Sequence, residues 1–154
     1  MPATPGNSLP TERDFDPWNG DLDAQCAWKH FGGLSLEEAH ARFAENPLNY
    51  QEDFMFMGGK AFAFYFPVVE NHLRNVPDAD NFDDHEAWIL AHCIRNQFEG
   101  DNLAHVRHLA QRVMDLGGFV RGNIRRFGSD EGERQRVADA WTELVDHVQA
   151  IANR

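Results

Sequence analysis

Eight of the chain's 18 aromatic residues fall between Phe43 and Phe66, in a tract that reads FAENPLNYQEDFMFMGGKAFAFYFP up to Pro67. Aromatic side chains bury large apolar areas, so a tract this dense forms either the centre of a domain or a sticky surface. An acidic pair, Glu52 and Asp53, and a Gly58-Gly59 break interrupt it. It carries no catalytic signature. Its constraint is on architecture, because the rest of the chain must fold so as to cover it.

The segments around the tract carry helical signals. Ala24 to Phe31 reads as a short helix stopped by Gly32-Gly33, a C-terminal cap pattern. Ser35, with Glu38 three residues on, forms a capping box for a helix from Leu36 to Glu45 that ends at Asn46-Pro47. Tyr50 to Met57 is expected to be helical. Lys60 to Phe66 alternates with period two through Phe62, Phe64 and Phe66, yet no second strand is available to pair with it, so helix is preferred. Pro67 is then expected in the first turn of a following helix through Leu73.

After an acidic loop, His85 to Phe98 is expected to form a helix ending at Gly100. A long helix from Asn102 to Phe127 follows, with Gly117-Gly118 marking a kink or a close crossing. The last helix runs from Glu133 to about Asn153, with Val137, Trp141, Leu144, Val148 and Ile151 as its seam. The last two helices are expected to form an antiparallel hairpin joined at Gly128-Ser129. The predicted fold is all-α, a single-domain bundle of about six helices. Residues 22–154 form the domain, and residues 1–21, with four Pro and two Gly, form a flexible arm or strap that Phe15 and Trp18 can pin. Phe43, Phe54, Phe62 and Tyr65 are the residues of the tract expected to be buried.

A chain of 154 residues is long enough for one real core, and 42% hydrophobic content argues against disorder. The formal charge of −11 is unevenly placed. Met1–Asp101 holds 18 acids against 6 Lys or Arg, leaving −12, whereas Asn102–Arg154 holds 7 acids against 8 Arg, leaving +1. The front portion should repel nucleic acid and anionic lipid and attract basic partners. Two cysteines, Cys26 and Cys93, have no metal-like or redox-like spacing, and two reduced thiols are expected. The N-terminus shows no basic and apolar leader, and no apolar run approaches the roughly 18 residues of a membrane span. The expected setting is cytoplasmic, without membrane contact.

The reactive residue types do not assemble into a known motif. His105 and His108 stand three apart, and His85 and His92 two helical turns apart, without the acidic companion of a zinc-binding helix. Glu37 and His40 have the Glu-x-x-His spacing of a di-metal bundle, but there is no second copy. Cys93 reads as a buried, inert thiol. Asp78, Asp80, Asp83, Asp84 and Glu86 place five carboxylates in nine residues. An EF-hand reading of them fails, since Phe82 stands at the fifth loop position and Ile89 at the twelfth. No metal, no cofactor and no enzyme activity are expected. Arg121, Arg125 and Arg126, with Arg112, form a basic stripe too small for nucleic acid. They are expected to pair with acids of the same domain, either Glu52-Asp53 or the 78–84 loop.

Ser35-Leu36-Glu37-Glu38-Ala39, Phe43-x-Glu45-Asn46, Tyr50-Gln51-Glu52-Asp53-Phe54 and Ala61-Phe62-x-Phe64-Tyr65-x-Pro67 resemble, in that order, a group of small acidic bacterial proteins. Proteins of this sort are similar to immunity partners of polymorphic toxins. The resemblance implies a shared helical fold and brings no catalytic residues. It implies an immunity-type protein that binds and neutralises a cognate, basic toxin domain through an acidic surface. Asp78, Asp80, Asp83, Asp84, Glu86, Glu52 and Asp53 are the candidate contacts. The alternative is a non-catalytic scaffold or a homodimer formed through its aromatic surface, and the oligomeric state is left as monomer or homodimer.

Overall fold

Helix α6, Gly59–Arg74, is the axis on which the molecule is assembled, and it carries the C-terminal half of the aromatic tract. The computed structural model describes residues 8–76 and 87–154, and every regular element among them is helical. Ahead of α6 come α1 (Glu12–Phe15), α2 (Leu22–Phe31), α3 (Leu36–Glu45), α4 (Pro47–Tyr50) and α5 (Asp53–Phe56). Behind it come α7 (Ala87–Gln97), α8 (Leu103–Val106), α9 (Ala110–Gly122) and α10 (Glu131–Ala152). Helices α1, α3, α8 and α9 pack on α6, α5 bridges α2 and α7, and α10 lies against α7 and α9. The all-α bundle and its C-terminal hairpin are thus present.

Local chemistry sets the boundaries. The Ser35 hydroxyl accepts the Glu38 N–H at 3.1 Å, and the Glu38 carboxylate accepts the Ser35 N–H at 2.9 Å. Such a cap contributes about 0.5–2 kcal/mol. Asp21 and Asp130 cap α2 and α10 through the N–H groups of Ala24 and Glu133. Thr11 and Asp14 form a second capping box on α1. Phe15 on that helix is fully buried and its carbonyl accepts the Gly58 N–H at 2.7 Å, so residues 11–15 of the expected arm are tied into the body. Trp18, beyond that helix, is 43% exposed.

Three expectations are corrected. Lys60–Phe66 and the segment after Pro67 form one helix, with Pro67 in its interior rather than its first turn. An interior proline costs roughly 3 kcal/mol. Burial of Phe62, Tyr65, Phe66, Val68, Val69 and Leu73 on both sides of it offsets that cost, at about 1.5–3 kcal/mol for each large apolar side chain. Tyr50–Met57 is not one helix, because a turn at 51–52 separates α4 from α5. The continuous helix expected over 102–127 is divided as well: 3-10 turns at Gly100–Asn102, Arg107–Leu109 and Ile124–Arg126 flank α8 and α9. A 3-10 turn eclipses residues three apart. That geometry brings both Val106 and Leu109 into the core, where they are 0% and 2% exposed.

Gly117 marks a crossing and not a kink, since α9 continues through it to Gly122. A Cβ at Gly117 would run into Val145 Cγ2 of α10. Trp141 of α10 is fully buried and its indole N–H donates to the Ala87 carbonyl of α7 at 3.0 Å. This side chain is thus one of those that join the hairpin to the rest.

The aromatic tract is core. Phe43 is 1% exposed, and Phe54, Phe62 and Tyr65 are 0% exposed. Phe54 has Phe31, Phe43 and Phe62 around it at centroid distances of 5.5, 5.6 and 6.4 Å, in tilted or edge-on arrangements. These are the geometries that ring quadrupoles favour. Phe31, from outside the tract, also meets Tyr50 and Tyr65 at 5.7 and 6.0 Å.

Candidate functional site

The candidate acids separate into two groups. Asp78, Asp80, Asp83, Asp84 and Glu86 lie outside the described residues. Glu52 and Asp53, the acidic pair within the tract, diverge. Glu52 faces outward as the residue before α5, while Asp53, at the first position of α5, is 8% exposed.

Asp53 does not meet the arginines of α9. Its Oδ2 lies 2.6 Å from His30 Nδ1 at the end of α2. The reason is topological: α5 packs between α2 and α7, whereas α9 lies against α6 and α10. Of the basic stripe, Arg112 reaches a carboxylate, Glu70 on α6, at 2.5 Å. Its guanidinium also lies 5.1 Å from the Phe66 ring centroid. Arg121 Nε donates to the Gly117 carbonyl within its own helix at 3.3 Å. Arg125 and Arg126 form no side-chain hydrogen bond or ion pair among the described residues. The stripe thus pairs with an acid of the same domain through Arg112, but with Glu70 rather than Glu52-Asp53, and the alternative partner, the 78–84 loop, lies outside the described residues.

A polar framework surrounds Asp53. The Tyr50 ring stands edge-on to the His30 imidazole, with centroids 5.0 Å apart. Arg42 of α3 donates to the His30 carbonyl at 2.5 Å, satisfying a carbonyl in the last turn of α2. The Tyr65 hydroxyl lies 3.0 Å from the Phe31 carbonyl and 2.7 Å from that of Leu34, just beyond the helix end. From α7, the Gln97 amide donates to the Phe54 and Met57 carbonyls at 3.1 and 2.7 Å, and Asn96 donates to that of Met55 at 3.1 Å. Side chains from α3, α6 and α7 thus bond the frayed ends of α2 and α5, which are too short to hold themselves.

The electrostatics of this framework follow from burial. Desolvation pushes the Asp53 pKa above the ordinary carboxylate value of 3.8, with the His30 hydrogen bond acting in the opposite direction. Burial pushes the Cys93 thiol up to about 12, so it stays protonated, and its Sγ lies 3.5 Å from the Gln51 carbonyl. A protonated, enclosed thiol is a poor nucleophile. Among the described residues no three His, Cys, Asp or Glu side chains converge as a metal would require. The His30–Asp53 unit orients one imidazole and locks α2 to α5. In chemical terms the arrangement is a brace for the acidic layer.

Above that brace the surface is acidic. Glu12, Asp21, Asp23, Glu37, Glu38, Glu45 and Glu52 are all exposed on or beside α1–α5. None forms an ion pair among the described residues, where His30–Asp53 and Arg112–Glu70 are the pairs within 4.0 Å. Sequence reasoning identified Glu52 and missed this wider layer, although the acid surplus of the front portion was its signal. It also missed His30, for which the sequence carries no signal, because its partner lies 23 residues away on another helix.

No protein-family model, curated protein sequence or solved structure matches the chain.

Proposed function

We propose that this is an immunity-type protein, which binds a cognate, basic bacterial toxin domain and neutralises it through the acidic layer on α1–α5. The observation that carries the reading is the run of exposed acids from Glu12 to Glu52 without an ion pair among the described residues. The acids of this face outnumber the exposed bases Arg13 and Lys29, so the net potential is negative and accelerates encounter with a basic surface and orients it. The similarity of residues 35–67 to small acidic bacterial proteins of the immunity type supports the same reading. The rigid brace beneath adds to it, because a pre-ordered surface loses little conformational entropy on binding.

Homodimerisation through the aromatic tract finds less support, since the largest rings of that tract are enclosed in the core. The test is co-purification with the product of the adjacent gene. The expected result is a complex of sub-micromolar affinity that weakens between 50 and 500 mM salt, on the order expected for steered charge pairs. Deletion of the gene should make cells sensitive to that product. A neighbour that does not bind, together with resistant deletion cells, overturns the reading.

A further inference from the structure

Two turns face each other at one end of α6 and enclose an open cleft of about 280 Å3 lined by Trp18, Asn96, Glu99, Gly100, Asp101 and Asn102. That is smaller than the roughly 300–1,000 Å3 of a typical small-molecule pocket. It suits a single long side chain. The first turn, Asp16–Asp21, presents Trp18 at 43% exposure. It is held from inside by Asp16, which is 4% exposed and whose carboxylate accepts the Gln25 amide at 2.8 Å and the Gly20 N–H at 2.7 Å. Asn19 within it adopts a left-handed φ of 58°, a conformation that asparagine tolerates better than most residues. The second turn follows α7, where Gly100 has φ 55° and its neighbours Glu99 and Asp101 are both exposed.

The side chains in this cleft have defined vacancies. Asn102 is more than nine-tenths buried, and its Oδ1 accepts the Gly59 N–H at 2.9 Å. That bond fixes the amide orientation, and the Nδ2 group has no hydrogen-bond partner among the described residues. Asn96 uses its Nδ2 on the Met55 carbonyl, which leaves its Oδ1 as an acceptor. Glu99 and Asp101 form no ion pair there. The cleft therefore combines an exposed indole, two carboxylates and an amide oxygen, with the Asn102 amide N–H group beside them.

We propose that this cleft is the anchor point for an arginine side chain of the protein's basic partner. A guanidinium is planar and rich in donors. It stacks on an indole face while its N–H groups reach carboxylate and amide oxygens. The Asn102 Nδ2 group supplies the complementary donor for a backbone carbonyl of the same partner segment. Exposed tryptophans in pre-ordered settings are the residue type that concentrates binding energy at interfaces. The proposal rests on the reading of the protein as a partner-binding protein, and it adds to the acids on α1–α5 a contact at Glu99 and Asp101, beyond α7.

The experiment is an NMR titration of the 15N-labelled protein with acetyl-Gly-Arg-Gly-amide and with the neutral isostere acetyl-Gly-citrulline-Gly-amide. The Arg peptide is expected to move the Trp18 indole and Asn102 side-chain signals saturably. The citrulline peptide is expected to leave them in place. The Glu99→Gln/Asp101→Asn double variant changes two exposed side chains, and it should bind the Arg peptide about fivefold to tenfold more weakly. Equal shifts with citrulline, no shifts with arginine, or an unaltered double variant overturn the proposal. The same variant, mixed with the product of the adjacent gene, separates the two ideas. If that product binds wild type and variant equally, the anchor is wrong and the immunity reading stands. If the peptide binds and the gene product does not, the anchor stands alone.

Discussion

The front layer, α2 to α5, and the C-terminal hairpin, α9 and α10, are both helical, but they are stabilised differently. The hairpin is long and continuous, with an apolar seam through Val113, Leu116 and Val120 facing Val137, Trp141, Leu144 and Val148. Its backbone bonds are mostly internal, and its two helices meet closely at Gly117. The front layer consists of segments of 4 to 10 residues, at or below the length at which isolated helices are marginal. It is held by rings from several elements and by side chains that reach across the sequence to bond helix ends: Arg42, Tyr65, Asn96 and Gln97. A short-helix layer built this way can carry a surplus of exposed acids, because its order does not depend on surface ion pairs.

The largest expected effects come from the two core centres. Phe54→Ala and Trp141→Ala should each cost about 3–5 kcal/mol in denaturant titrations. Hydrogen exchange should distinguish them: Phe54→Ala should first release amides of α2–α5 and leave α9–α10 protected. Loss of protection in α9–α10 first would break the distinction between the regions.

Tyr65→Phe removes one hydroxyl that faces two carbonyls and should cost about 1–3 kcal/mol. A cost near zero would mean that the end of α2 is satisfied in another way. Asp53→Asn tests the brace through pH. Burial raises the folded pKa of Asp53, so its contribution to stability is fully present in acid, below its unfolded value, and is lost as pH rises through the folded value. The stability of wild type relative to Asp53→Asn should therefore fall as pH is raised from below 3.8 toward neutrality. A rise over that range would contradict desolvation as the dominant influence on the carboxylate. The smallest effect is expected in the hairpin. Arg136 lies 5.1 Å from the Trp88 ring centroid, and Arg136→Ala should cost about 0.5–1 kcal/mol with little salt dependence. A strongly salt-dependent loss would indicate a carboxylate partner instead.

What was legible in the sequence was local. The Ser35/Glu38 box, the C-terminal seam and the burial of Phe43, Phe54, Phe62 and Tyr65 follow from spacing and from apolar area, which neighbouring residues determine. Pro67 was misplaced because its local preference is for a helix start, and tertiary burial on both sides overrode it. The 3-10 turn at 107–109 was hidden because Val106 and Leu109 are compatible with an α-helical period. Charge alone matched the arginine stripe to carboxylates without specifying which one, and packing gives Arg112 both Glu70 and the face of Phe66. Neither the His30–Asp53 pair nor the Trp18 cleft was legible, because each joins residues from different elements that only the packing brings together.

The central claim is that the front layer, and not the hairpin, is the recognition face. Calorimetric titration of the adjacent gene's product tests it against two variants. One removes front acids (Glu37→Gln/Glu45→Gln/Glu52→Gln) and the other removes hairpin acids (Asp139→Asn/Glu143→Gln/Asp146→Asn), all six residues being exposed. The account predicts at least a roughly tenfold loss, about 1.4 kcal/mol, for the front variant and wild-type affinity for the hairpin variant. Equal losses in both, or a loss confined to the hairpin variant, would contradict it.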